Sequence, residues 1–208
     1  MNFLAVDTSA NYMSVVAVKN GEAFSTFLPD CAMKHSVNIL PCIEETLKKA
    51  DMRLEDCDFF GAVVGAGSFT GIRIGVSAIK GFALAMGKKT LPITSFAVTA
   101  YNGLGAQGKK LCLVDALHDS YYACGYEGDK EVLAPAYLAE EEVLALANEG
   151  YVLCASTPLP LAEKTPVKVV DPVMGLINAA KTLANKGAFG ELNALYVRKS
   201  SAEENLKV

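Results

Sequence analysis

The sequence predicts an α/β protein made of two similar halves, and three observations predict it. Short apolar runs rich in β-branched residues alternate with segments of helical period along the chain. The order of these runs, three strands and then helix, strand, helix, occurs twice. Hydrophobic residues make up 51% of the 208 residues and charged residues 20%, enough apolar material for a core and too little charge for a disordered chain.

Residues 2–9, 12–20 and 22–29 read as successive strands, the last two joined through Asn20-Gly21, a pair suited to a tight hairpin. Residues 35–50 read as a helix with Ser36 as N-cap and Val37, Leu40, Ile43, Leu47 and Ala50 as its core stripe. Pro41 is expected to bend that helix near its start or to confine its early turns to one geometry. A strand at 59–66 leads through a glycine-rich turn into a helix from Gly71 to Met86, followed by a strand at 89–94. A short helix capped by Ser95 runs into a glycine-rich stretch, where the boundary falls: one domain at 1–104, a second at 105–208.

The second half repeats the pattern. Strands are predicted at 110–117, 120–127 and 131–138, then a helix at 139–150 with acids in its first turn, where the helix dipole favours them. Short strands at 151–156 and 168–171 precede a last helix with Asp171 as N-cap and Pro172 in the first helical position.

Composition narrows the function classes. Cys31, Cys42, Cys57, Cys112, Cys124 and Cys154 form no CxxC pair, which argues for a reducing cytoplasm and against zinc or a disulfide framework. His35 and His118 are the only histidines, so a metal site of several imidazoles is excluded. A net charge of −4 makes the chain a poor stand-alone binder of nucleic acid, so any RNA role needs a basic partner. The apolar runs are broken before the roughly 18 residues of a membrane span, and the N-terminus reads as a buried strand rather than a signal peptide.

The stretch "GAGSFTGIRIG" at 65–75 carries the chemistry question, because clustered glycines mark tight turning or close approach to the backbone. A P-loop needs Lys after its last glycine, and Ile72 follows Gly71. A hydrolase elbow needs glycines two residues either side of its serine, and Ser68 has Ala66 and Thr70 there. A dinucleotide fingerprint fits Gly65, Gly67 and Gly71 with one extra spacer, but a three-stranded meander precedes it and no acid follows at the next strand. Asp7, ending the first strand, is suited to hold a cation or a water, or to cap the turn "DTSAN" through backbone N–H groups.

Taken together, "LAVDTS" at 4–9, "HSVNILP" at 35–41, "GAGSFTGIRIG" at 65–75, "VDALHDSYY" at 114–122 and "ALYVR" at 194–198 resemble the TsaB (YeaZ) family over the whole chain. Ala66 stands where the family usually has Pro, and Leu117 where it usually has a basic residue. The resemblance implies two RNase-H-like domains of the sugar kinase, Hsp70 and actin type. It implies a non-catalytic, cytoplasmic scaffold that activates TsaD, with TsaE as third component. The reaction is threonylcarbamoyl transfer to the adenosine at position 37 of ANN-decoding tRNAs, with tRNA met only through the complex. No cofactor is implied, and a homodimer is the arrangement without TsaD. TsaD holds its metal with an H-x-x-x-H pair; here Ile39 follows His35 at that spacing, so the second ligand is missing.

With that resemblance, the small-residue face Gly71, Gly75, Ala78, Phe82 and Ala85 is expected to meet a partner, beside a core stripe of Ile72, Val76, Ile79, Ala83 and Met86. The first helix is expected to add His35, Ile39, Cys42 and Thr46 to that interface. The competing function is a nucleotide-binding or phosphotransfer enzyme of the same fold, using Asp7, Gly65 and Gly67.

Overall fold

Strand alternation decides the layers. The computed structural model describes residues 1–102 and 108–197. In β1 (Phe3–Asp7), Phe3 and Ala5 enter one apolar cluster while Leu4 and Val6 enter another, because successive side chains leave opposite faces of a strand. Both faces are covered, so the strand is buried throughout.

β1 pairs antiparallel with β2 (Met13–Lys19), which pairs with β3 (Glu22–Leu28). On its other side β1 pairs in parallel with β4 (Phe59–Gly65), and β4 with β5 (Lys89–Thr94), giving the order β3-β2-β1-β4-β5. The second sheet is built from β6 (Lys109–Asp115), β7 (Ser120–Glu127), β8 (Lys130–Ala139), β9 (Val152–Ala155) and β10 (Lys168–Val169). Its order, β8-β7-β6-β9-β10, is that of the first sheet. The α/β class with duplicated, mixed sheets is therefore as the sequence predicts. The expected boundary at 104/105 and Arg198 of the "ALYVR" motif lie outside the described residues.

Three apolar clusters alternate with the sheets. Helices α1 (His35–Lys49) and α2 (Phe69–Met86) cover the outer face of the first sheet. Helices α3 (Ser95–Ala100) and α5 (Pro172–Asn185) contribute to the cluster that joins both sheets, and α4 (Glu140–Asn148) covers the far face of the second. The last helix of the second half thus packs on β1, β2, β3 and β5 of the first half. Where α5 meets α3, a side chain at Gly175 would run into the Val98 carbonyl, so this glycine is what permits their approach. Cys112 stands in register with Cys124 and Cys154 on the neighbouring strands, all three buried and unbridged, as small hydrophobic residues.

Several local expectations change. α2 begins at Phe69, not Gly71, because Ser68 caps it by accepting from the Gly71 N–H at 3.2 Å. α3 is capped by Thr94, whose Oγ1 accepts from the Ala97 N–H at 3.0 Å, instead of by Ser95. α1 starts at His35 with Lys34 at the cap position and no side-chain cap, so Ser36 does not serve. It continues through Pro41 as one helix. Asp171 and Pro172 open α5 as expected, and Glu140, Glu141 and Glu142 fill the first turn of α4. By length and composition α2 is, among the described residues, the one helix apolar enough to cross a membrane, contrary to the expectation from run lengths. Its Ile72, Val76, Ile79 and Ala83 are buried on the first sheet, while Arg73, Ser77, Lys80 and Leu84 are exposed on the other side.

Candidate functional site

Asp7 sits at the end of β1, fully buried, where β1 and β4 bring two turns together. Its Oδ1 accepts from the Ser9 N–H at 2.9 Å and the Ser9 hydroxyl at 2.7 Å; its Oδ2 accepts from the Tyr12 hydroxyl at 2.8 Å. The capping role considered for "DTSAN" is the one realised, as an Asx turn. Asp115 repeats it at the end of β6, accepting from the Leu117 N–H at 2.7 Å, but there the carboxylate is exposed. In that second turn Leu117, His118 and Asp119 all adopt positive φ, at 65°, 53° and 52°.

The glycine turn wraps the Asp7 turn. The Ser68 N–H donates to the Ser9 carbonyl at 2.7 Å, and the Thr8 hydroxyl to the Gly71 carbonyl at 2.7 Å. A Cβ on Gly67 would collide with the Ser9 carbonyl, one on Gly71 with the Thr8 carbonyl, and one on Gly75 with the Thr8 hydroxyl. A Cβ on Gly65, where φ is +123°, would lie 2.7 Å from the Leu195 carbonyl. What comes close to Gly65, Gly67 and Gly71 is this chain's own backbone, and to Gly75 its Thr8 side chain. The Gly65–Ala66 peptide is cis, and Ser95 Oγ lies 2.5 Å from the Ala66 carbonyl.

The last described segment crosses the same turn. The Leu195 N–H donates to the Val64 carbonyl at 2.7 Å, and Tyr196 stacks on Phe69 with ring centroids 4.6 Å apart. Arg73 Nε donates to the Tyr196 hydroxyl at 3.1 Å, its guanidinium carbon about 6 Å from both ring centroids.

Most of the expected interface residues lie inside the molecule. His35, Ile39, Cys42 and Thr46 are buried, as are Gly71 and Gly75; Ala78 and Phe82 are half-buried. His35 Nε2 is 3.0 Å from the Tyr12 carbonyl, and Thr46 Oγ1 is 2.9 Å from Thr26 Oγ1 and 2.7 Å from the Cys42 carbonyl. These internal partners make burial of the two polar side chains tolerable, so polarity does not mark the outer face of α1. The outer face carries apolar residues instead: Val37 is 69% and Leu40 57% exposed, both expected in the core, with Met33 at 97% just before the helix. Sequence periodicity missed them because α1 has two apolar stripes and only contacts with the sheet choose between them.

Burial, the largest influence, pushes the Asp7 carboxyl above the ordinary carboxylate value, opposed by the Ser9 and Tyr12 hydrogen bonds and by His35. Burial and then the Asp7 charge push the Tyr12 hydroxyl well above the tyrosine range, so it remains a donor. A carboxyl raised in the folded state contributes stability that is present below its unfolded value and lost as pH rises through the folded one. Asp7→Asn keeps the shape and removes this dependence. Its stability relative to the parent is expected to be greatest at neutral pH and to shrink on acidification, measured by urea unfolding across pH. A gap that widens on acidification would contradict the assignment.

Ser14, opposite Asp7 in the β1–β2 register, is the one buried side-chain hydroxyl without a hydrogen-bond partner among the described residues. No group of three or more His, Cys, Asp or Glu among the described residues is placed to hold a metal ion. With both oxygens engaged and no solvent face, Asp7 acts as a structural anchor for the two turns.

A family model described as TsaD, tRNA N6-adenosine threonylcarbamoyltransferase, matches residues 19–185. The tRNA threonylcarbamoyladenosine biosynthesis protein TsaB of Bacillus subtilis is 27% identical over 127 residues, covering 61% of this chain and 56% of that protein. The TsaB protein of Escherichia coli is 28% identical over 132 residues, covering 62% of this chain and 57% of that protein. A tRNA N6-adenosine threonylcarbamoyltransferase of Pediococcus pentosaceus is 32% identical over 106 residues, covering 43% of this chain and 31% of that protein. The chain spans about half the length of the TsaB relatives it matches. Among solved structures, YeaZ from Pseudomonas aeruginosa superposes with a TM-score of 0.74 at 22% identity, over 94% of this chain and 99% of that one, a likeness of fold.

Proposed function

This chain belongs to the TsaB (YeaZ) family, within the wider threonylcarbamoyltransferase family, and from that premise we propose that it is a non-catalytic docking subunit in tRNA threonylcarbamoyladenosine synthesis. Its partner is the transferase TsaD, with TsaE as third component, and tRNA is met through the complex. The modified base is the adenosine at position 37 of ANN-decoding tRNAs. The chain works in the cytoplasm as two RNase-H-like domains, divided near residue 104.

The observation that carries this reading is the apolar stripe on the outer face of α1. Val37 and Leu40, three residues apart on α1, are exposed on one side of the helix, and Met33 is exposed just before it. α2 lies against α1 on the same sheet and offers half-buried Ala78 and Phe82. Such a patch favours burial against another protein. The enzyme reading requires Asp7 to reach a ligand; its burial and its three hydrogen bonds support the scaffold instead.

The expected result is co-elution of this chain with TsaD in size-exclusion chromatography, and threonylcarbamoylation only when both are present. The chain alone is expected to shift tRNA weakly in gel mobility at moderate salt, given its net charge of −4. Modification of tRNA by the chain alone, or tight salt-sensitive tRNA binding by it, would overturn this function.

A further inference from the structure

The turn between β1 and β2 holds the starts of both outer helices and is linked to the second half as well. Toward α1, the Tyr12 carbonyl is 3.0 Å from His35 Nε2, and the Asn11 carbonyl accepts from the Cys31 N–H at 2.7 Å. Toward α2, the Thr8 hydroxyl donates to the Gly71 carbonyl and the Ser9 carbonyl accepts from the Ser68 N–H, both at 2.7 Å. Toward the second half, Ser156 Oγ, just after β9, lies 2.9 Å from Thr99 Oγ1 of α3. The link returns to the turn through α3: Thr99 Oγ1 donates to the Ser95 carbonyl at 3.2 Å, and Ser95 Oγ lies 3.1 Å from Ser9 Oγ. Asp7 is the acceptor at the centre of the turn.

We propose that the Asp7–Tyr12 turn is a positioning hub: Asp7, acting through Ser9 and Tyr12, fixes the starts of α1 and α2 in one arrangement and ties it to the second half at Ser156. The inference rests on the docking role given above to these helices. A satisfied buried hydrogen-bond network specifies one geometry. α1 has no side-chain cap, so its anchorage at this end falls to the His35 and Cys31 contacts with the turn. The nearby space between the glycine turn and Tyr122 of the second sheet is a cavity of about 10 Å³, room for one water at most. A joint packed this closely transmits a displacement instead of absorbing it.

Tyr12→Phe removes the hydroxyl and keeps the ring, and Ser156→Ala cuts the link from the far side. Amide hydrogen exchange on the free chain is expected to quicken about tenfold or more at the starts of α1 and α2 in Tyr12→Phe. In Ser156→Ala, the start of α1 is expected to respond although the substitution lies in the other half. Exchange in α4, which covers the far face of the second sheet, stays at the parental rate, which separates positioning from general loosening. Affinity for TsaD is expected to fall about tenfold in both. Unchanged exchange at both helix starts in Ser156→Ala, or equal quickening in α4, overturns the hub. Failure of the parent chain to bind TsaD would instead remove the docking reading, leaving the exchange result to decide this one.

Discussion

Gly71→Ala is expected to lose about 3 kcal/mol of stability or more, an overpacking cost at the upper end for one methyl. Helix propensity alone predicts a gain of about 1 kcal/mol for the same change. The sign reverses because the new Cβ would collide with the Thr8 carbonyl, a backbone atom of a turn held by its own bonds. For a domain of this size, about 3 kcal/mol corresponds to a fall in Tm of roughly 6–12 °C. Gly81, in the same helix, faces open space, so Gly81→Ala is expected to stabilise or leave the fold unchanged. Thermal and urea unfolding of the two variants check the pair; equal stability would remove the close-approach account of the glycine motif. Gly75 follows Gly71, because its missing side chain makes room for the Thr8 hydroxyl, so charge placed there unfolds the chain before any partner is tested.

Val37→Glu and Leu40→Glu are expected to abolish association with TsaD while leaving the free chain folded. Both side chains are exposed, so a carboxylate there stays in water until a partner covers it. An unpaired charge trapped in an interface costs about 3–5 kcal/mol. That weakens binding by a factor of about a hundred to several thousand. Ile39→Glu is the contrasting variant: Ile39 is 4% exposed within the cluster beneath α1, so its carboxylate is expected to unfold the chain. Calorimetric titration with TsaD and circular dichroism of each variant separate the outcomes. Tight binding by both folded exposed-face variants would move the interface off α1.

The repeated order of strands and helices along the chain and the helix that opens with Asp171-Pro172 were legible in the sequence, because they rest on local periodicity and on capping chemistry that acts within a few residues, whereas the order of strands within each sheet came only with pairing. The glycine motif was legible as a place of close approach, since chain entropy disfavours such a cluster without a reason. Which group approaches was decided only when β1 and β4 paired in parallel and set the Thr8–Ser9 turn against Gly67, Gly71 and Gly75. The roles of Val37 and Leu40 against Ile39 and Thr46 were likewise settled by tertiary contacts. A helix with apolar residues on two sides has no preferred inner face until a sheet supplies partners, here Tyr12 for His35 and Thr26 for Thr46. Local rules reach about one helical turn along the chain. The bonds that build this site join residues as far apart as Ser9 and Ser95, and only the folded molecule brings them within reach.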